Sequence, residues 1–458
     1  MNCQPLVLAP LDPDFQPSSL FNRDYVAAAK ASGKAVPLVI GLEREAGLLS
    51  RYETIVKSEV DADTLRYVER IVKFLLWARG GWRIYIGGPA PIGDFIRRTY
   101  SPTGPRKFDV VDMMLRVYEK PFEVIITEAA SVPPENEVDV TLGGHLDGCR
   151  IGFDLGASDY KVAAVKDGEV VYSDEFPWNP KDQPDPEYHY RHLSEGLKKA
   201  AAHLPRVDAI GGSSAGVIVN NQFMVASLLR AVPAEHFNRA KNIFLRIRDE
   251  WNVPLEVAND GDVTALAGAL SLSTNGLLGI AMGSSEAAGY LNPKGGMTGW
   301  LSELAFAPVD HNPKAAADEW SGDHGVGVLY FSQQAVNKLL PAAGITVPAD
   351  MDLPTRLKVV QELMAKGDPR AAKIYETIGV YFGYGIALYA DFYEFDSLLI
   401  LGRVTTGRGG DVVLDKAREV LQAEFPDLAA KIKLHVPDEK SKRVGQAVAA
   451  ASLPPLKK

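Results

Sequence analysis

The strongest constraint in this sequence is a unit that occurs twice. Arg150–Phe153 and Tyr160–Val165 read as strands, and the run Asp154-Leu155-Gly156-Ala157-Ser158-Asp159 between them reads as a glycine turn. At Gly276 the chain begins again, with strand Leu277–Met282, turn Gly283-Ser284-Ser285 and strand Ala287–Leu291. Alternating helices and strands follow each unit. The first half continues with a strand at Glu169–Ser173, a helix over Glu187–His203 and a strand at Val207–Ile210. Helices at Gln222–Leu229 and Ala234–Trp251, strand Leu255–Ala258 and helix Asp262–Leu270 complete it. In the second half, helices over Val326–Leu339, Pro354–Ala365 and Pro369–Tyr393 precede strand Ser397–Leu401. A chain that opens two halves alike and then alternates β with α is restricted to layered sheets with helices outside.

Composition narrows the function classes. At 458 residues the chain exceeds what a single core holds, so more than one domain is expected. With 46% hydrophobic and 23% charged residues it is neither disordered nor fibrous. No apolar run approaches the ~20 residues of a membrane span. The start MNCQPLVLAPLDPD lacks the basic and apolar regions of a signal peptide, so a cytoplasmic protein is expected. Two cysteines, Cys3 and Cys149, are too few for a disulfide framework. A formal charge of −9 offers no basic surface for nucleic acid.

Four short stretches carry the chemistry. The Gly156 turn exposes backbone N–H groups that suit phosphate oxygens, and Asp154 at its mouth suits a water-bound Mg²⁺. An ordinary β-hairpin accounts for the same residues. Leu255-Glu-Val-Ala-Asn259-Asp260-Gly261-Asp262 runs from a strand into a helix. There Asn259 or Asp262 serves as a helix N-cap, or Asp260 serves as a general base with Asn259 beside it on the substrate. Gly283-Ser284-Ser285 repeats the hydroxyl-rich turn. Ser397-Leu-Leu-Ile-Leu401-Gly402-Arg403 is an apolar strand ending in glycine, where a flat base can approach the backbone.

Together, in this order and spacing, these stretches resemble the ROK family (repressor, open reading frame, kinase) of the actin-like sugar-kinase ATPases. The resemblance runs from about Arg150 to Leu453. Asp154 to Lys161 sits where the family has D-x-G-G-T-K-x-K, and Asn259-Asp260 matches its N-D-A-N. Met282 to Gly289 falls on G-T-G-x-G-G-G, and Gly299 to Phe306 on G-x-x-G-E-x-G-H, keeping Glu303. Tyr330-Phe-Ser332-Gln-Gln-Ala335 resembles Y-x-S-x-x-A; Leu401-Gly402 and Arg443-Val-Gly-Gln-Ala447 fit the adenosine-side strand and the last helix.

The resemblance implies two actin-like, ribonuclease-H-like lobes, each a mixed sheet flanked by helices. It implies ATP and Mg²⁺ as cofactors, a small-molecule substrate and a possible homodimer. By the same resemblance Asp260 is the catalytic base, and Asn259 and Glu303 contact the substrate. Nucleotide and phosphate fall to Asp154, Gly156, Ala157, Ser158, Lys161, Gly283, Ser284, Ser285, Gly402 and Arg403, with Asp154 also on the Mg²⁺ side. The departures are specific. The family's zinc ligands are replaced by Phe306, Glu319, Ser321 and Val326, so no zinc site of that type is expected. Two sugar-contact positions have become Phe306 and Val328, which removes hydrogen-bonding partners for a hydroxyl-rich ligand.

The expected division is an accessory α/β domain over 1–148, one lobe over 149–272 and a second over 273–458. The accessory segment carries a helix over Asp63–Arg79 stopped by Gly80-Gly81, a strand from Trp82 to Ile86, a helix over Val110–Glu119 and a strand from Phe122 to Thr127. It shows no helix-turn-helix with a basic recognition helix, so nucleic acid is not an expected partner. The expected function is an ATP-dependent kinase of a sugar or sugar-like molecule. A non-catalytic ligand-binding or scaffolding protein on the same fold is the alternative, and a transcriptional regulator the second.

Overall fold

The computed structural model describes residues 4–137, 142–436 and 441–456, with side chains omitted for 441–444. Contacts divide the chain into two compact units. The first holds Met1–Val138, Ile280–Ala288 and Gly299–His435; the second holds Asp139–Gly279, Gly289–Thr298 and Val436–Lys458.

The opening segment builds a sheet of its own. Helix α1 (Ser18–Ala31) leads to the antiparallel strands β1 (Ala35–Glu43) and β2 (Leu49–Lys57). Helix α2 (Ala62–Arg79) starts at Asp61, whose carboxylate accepts from Thr64 N. Strand β3 (Arg83–Gly87), helix α3 (Ala90–Thr99), helix α4 (Leu115–Tyr118) and strand β4 (Glu123–Thr127) follow, giving the order β2-β1-β3-β4. The predicted helix over Val110–Glu119 is a π-helix from Phe108 to Met114 that runs into α4 and stops at Glu119, φ 53°.

The second unit carries five strands in the order β11-β8-β5-β6-β7. They are β5 (Cys149–Leu155), β6 (Asp159–Lys166), β7 (Glu169–Pro177), β8 (Ala209–Ser214) and β11 (Leu255–Asn259). β5–β6–β7 run antiparallel, while β5, β8 and β11 are parallel, so the sheet is mixed. Helices α5 (Pro186–Ala201), α6 (Ala234–Lys241), α7 (Ile243–Trp251) and α8 (Asp260–Leu272) supply the flanking layers. Phe153, Val162, Leu193, Leu197, Ile210, Phe244 and Leu255 form the core between sheet and helices. The stretch Gln222–Leu229, predicted helical, is instead strand β10 (Gln222–Val225) paired with β9 (Val217–Val219), followed by a 3₁₀ turn. Asn220 and Asn221 at φ 51° and 60° form the two-residue hairpin turn that overrides the helical spacing.

A second four-stranded sheet follows. Strands β12 (Leu277–Met282), β13 (Glu286–Leu291), β14 (Ser397–Leu401) and β15 (Lys433–His435) are ordered β13-β12-β14-β15. Helices α9 (Gln333–Leu339), α10 (Leu353–Ala365), α11 (Pro369–Ala390), α12 (Arg408–Glu424) and α13 (Pro426–Lys431) belong to the first unit, and α14 (Ser441–Ala451) to the second. The continuous helix predicted over Val326–Leu339 is broken. A 3₁₀ turn at Gly327–Leu329 comes first, and α9 starts only after Ser332, whose hydroxyl caps Gln334 N. Among the described residues no helix is long and apolar enough to cross a membrane.

Candidate functional site

On the second unit the site grows from the middle of the sheet. Asp154 lies near the end of β5, opposite Lys161 on β6 and Ser213 on β8. Cross-strand neighbours share a face, so register brings these three together. The Ser213 hydroxyl donates to Asp154 Oδ1 at 2.7 Å, while Lys161 Nζ stands 3.8 Å from Oδ2 and 3.4 Å from Asp159 Oδ1. Burial pushes the Asp154 carboxyl up; the Ser213 hydrogen bond and the Lys161 charge oppose it.

The turn beyond Asp154 is closed by Gly156 N donating to Asp159 O at 3.0 Å. Trp178, just past β7, ties it down twice. Its backbone N donates to Ser158 O at 3.1 Å, and its indole Nε1 donates to Gly156 O at 2.9 Å. Ala157 and Ser158 remain exposed at the tip.

Asn259 is the N-cap of α8: its Oδ1 accepts from Gly261 N at 2.8 Å, and its Nδ2 donates to Gly216 O at 2.8 Å. One lone pair and one N–H are left over. Asp260 opens the helix half-buried, and its Oδ1 accepts from Gly261 N at 3.0 Å. Burial, and after it the negative charge of Asp154, pushes the Asp260 carboxyl up to about 6. Asp262, two residues on, accepts from Tyr290 N at 3.2 Å and is pushed up to about 7 by burial, with the Asp260 charge adding. Asp154, Asp260 and Asp262 thus form an electrostatically linked series. In sequence Asp262 shows only as a helix cap, and Ser213 and Trp178 carry no local signal. The Asp-Gly-Asp spacing was the available signal for Asp262; the other two depend on sheet register.

On the first unit, the turn Gly283–Ser285 is closed by Gly283 N donating to Ser285 O at 3.0 Å. Gln333 N at the start of α9 donates to Gly283 O at 2.9 Å. Ser284 and Ser285 are exposed. The next residue, Glu286, is sealed inside: Tyr389 Oη donates to its Oε1 at 2.7 Å, and its Oε2 is buried without a partner. Burial, followed by the charge of Glu303, pushes the Glu286 carboxyl up to about 8. Glu303 is half-buried, and its backbone N donates to Trp77 O at 3.0 Å.

At the end of β14, Gly402 has φ 104°, and a Cβ there would lie 2.5 Å from Met282 O. Both the conformation and the contact with β12 require glycine. Arg403 is exposed beside it, its carbonyl accepting from Gln361 Nε2 at 2.9 Å. Phe306 packs against Trp77 (4.5 Å between ring centroids), Phe108 (5.6 Å) and Trp320 (5.8 Å). His311 is buried and stacked on Phe21 at 4.0 Å, and burial lowers its pKa well below the usual range. His324 Nδ1 lies 2.6 Å from Ala315 O.

Among solved structures, a ROK hexokinase from Thermus thermophilus superposes with a TM-score of 0.53, at 17% identity over 67% of this chain and 97% of its own. A ROK family transcriptional regulator, a homologue of the E. coli MLC protein, gives 0.53 at 20% identity over 67% of this chain and 78% of its own. The chain has the ROK fold. No family model matches the sequence, and no curated protein matches it. The actin-like, mixed-sheet α/β architecture expected from the motifs is therefore the one observed, and the two similar structures just named are a hexokinase and a transcriptional regulator.

Proposed function

We propose that the protein is a kinase that transfers the γ-phosphoryl group of ATP to a hydroxyl of a sugar or sugar-like small molecule. The observation that carries this reading is Asp260: a half-buried carboxylate at a helix start, linked to Asp154 and pushed to about 6. A base with that pKa is ionised at neutral pH and still takes a proton from an alcohol as its oxygen attacks phosphorus. The acceptor O–H bond breaks toward Asp260, the O–P bond forms, and the bond from γ-phosphorus to the bridging oxygen breaks to release ADP.

The residues present fit a Mg²⁺–nucleotide. Asp154 Oδ2 stands beyond hydrogen-bond distance of Lys161, and Ala157 and Ser158 at the tip of the Gly156 turn are exposed. Mg²⁺ favours one or two carboxylates together with substrate phosphates, and when bound it offsets the charge on the phosphate oxygens. Gly156–Ser158 with Lys161, and Gly283–Ser285, would contact phosphates. Gly402 and the exposed Arg403 would face the base, and the free N–H of Asn259 together with Glu303 would orient the acceptor.

One observation favours a second reading. Phe306 is packed among aromatic rings and Val328 is buried, so the side chains at two positions that touch sugar in ROK kinases offer no hydrogen bond here. A non-catalytic ligand-binding protein would show this. Titration of the full-length chain with ATP·Mg²⁺ by calorimetry, followed by a screen of hexoses, amino sugars and polyols for ADP release, separates the two. Absence of nucleotide binding would end the kinase reading. With turnover in hand, Asp260→Asn should lower kcat by roughly 100-fold or more while nucleotide binding persists.

A further inference from the structure

Helix α2 of the opening segment touches two loops far away in sequence. A helix leaves its last four carbonyls without intrahelical partners. In α2 two of these are taken by a distant loop: Ala78 O accepts from Ser302 N at 2.8 Å, and Trp77 O accepts from Glu303 N at 3.0 Å. The helix stops there because Gly80 adopts φ 80°, and a Cβ at Gly80 would fall 2.0 Å from Tyr118 Oη. The loop is held in a conformation it would not adopt freely, since Ser302 has φ 49°. Two side-chain contacts brace it further. Arg79 lies over the Trp300 ring at 4.7 Å, and Trp300 Nε1 donates to Glu137 Oε1 at 3.1 Å.

The same helix grips a second loop by charge. Arg70, Lys73 and Trp77 fall on one face at helical spacing. Asp323, almost fully buried, pairs with Arg70 Nη1 at 2.9 Å, Lys73 Nζ at 3.2 Å and Arg106 Nη1 at 2.7 Å. Asp109 takes Lys73 Nζ at 2.9 Å and Trp77 Nε1 at 2.8 Å, and Glu69 takes Arg106 Nε at 2.6 Å. Three cations and three anions close on one another. The indole that donates to Asp109 also packs on Phe306, so the charge cluster, the aromatic cluster and the Glu303 loop all meet on α2.

We propose that α2 is the positioning element of the acceptor site: its carboxy-terminal carbonyls fix Glu303, and its basic face fixes the loop carrying Asp323. The opening segment is then part of the acceptor-binding machinery. This rests on the reading of Glu303 as an acceptor contact, and the test has one arm that does not.

In full-length chains carrying Asp323→Asn or, as a milder change, Arg70→Gln, backbone amides of 299–306 should exchange hydrogen for deuterium about tenfold faster or more, with the overall fold retained. In the acceptor assay the same variants should raise the acceptor KM about tenfold, with kcat and the ATP KM changed less than about twofold. Asp323→Glu should return both readouts toward the starting protein. Unchanged exchange at 299–306 in the folded Arg70→Gln protein overturns the proposal whether or not turnover exists. Faster exchange with an unchanged acceptor KM, or an equal rise in the ATP KM, also overturns it. Faster exchange in a chain that binds no nucleotide leaves α2 as the holder of this loop and removes the kinase reading alone.

Discussion

The two glycine turns are built alike and set in different surroundings. Each is a short link between antiparallel or adjacent strands, closed by a single backbone hydrogen bond of 3.0 Å, with exposed residues at its tip. Each has a carboxyl beside it. Around the Gly156 turn the carboxyl is Asp154, reached by a hydroxyl and an ammonium from neighbouring strands and linked by charge to Asp260. Around the Gly283 turn it is Glu286, buried and held by the Tyr389 hydroxyl, with burial and the charge of Glu303 pushing its carboxyl up. A carboxyl suited to handling charge keeps a polar neighbourhood that can stabilise its ionised form. One kept neutral by burial acts as packing with a hydrogen bond.

That contrast can be broken by substitution. Asp154→Asn should lower turnover by about 100-fold or more, the scale for losing one group that handles transition-state charge. Glu286→Gln should change turnover less than about threefold, since an amide reproduces a neutral acid that accepts from Tyr389. Equal losses in steady-state assays of the two variants would erase the distinction.

Trp178→Phe keeps an aromatic ring but deletes the indole N–H that holds Gly156 O. Nucleotide affinity should fall by roughly threefold to tenfold, the worth of one hydrogen bond, with kcat retained. Calorimetric titration with ATP·Mg²⁺ reads this directly, and an unchanged Kd would show that the backbone donor of Trp178 suffices.

The pH profile sharpens the comparison further. As the proposed base, Asp260 must be ionised to accept a proton, so kcat/KM should fall below about pH 6, the value to which burial and Asp154 push it. Asp154→Asn removes a negative neighbour, which should move that acid limb to lower pH in whatever activity remains.

The smallest expected effect is on stability. The folded pKa of Glu286, about 8, lies above its unfolded value of roughly 4.3. Its contribution to stability is therefore complete below the unfolded value and is lost as pH rises through the folded one. Glu286→Gln has no such loss. Its melting temperature should match the starting protein near pH 5 and exceed it by a few degrees near pH 8.5 in calorimetric scans.

Sequence made the turns and the Asn259-Asp260 junction readable because each is decided within a dozen residues. Strand, glycine, strand is a local pattern, and Asn259 caps a helix that starts at the next residue. Glu286 was not readable as a sealed acid. Its position in a strand-like run gives no sign that Tyr389, 103 residues later, covers it. The contacts of the opening segment were hidden for the same reason: Trp77 and Ala78 meet Ser302 and Glu303 only through the folded chain. The helix expected at Gln222–Leu229 failed on a local clue that was visible, the Asn220-Asn221 pair, outweighed by apolar spacing.

The dependence of α2 on residues after 299 also sets an order of events during synthesis. The first unit is assembled from the start of the chain and from Gly299–His435, with the bulk of the second unit made in between. At ~5–20 residues per second, the opening segment leaves the ribosome roughly 10–30 s before its partners begin to appear. During that interval Arg70, Lys73 and Arg106 lack Asp323, and Trp77 lacks Phe306. The intervening unit completes most of its sheet first. The nascent chain therefore carries an unfinished apolar and cationic face until residues 299–323 emerge, a stage at which chaperone capture or misassembly competes with the native pairing.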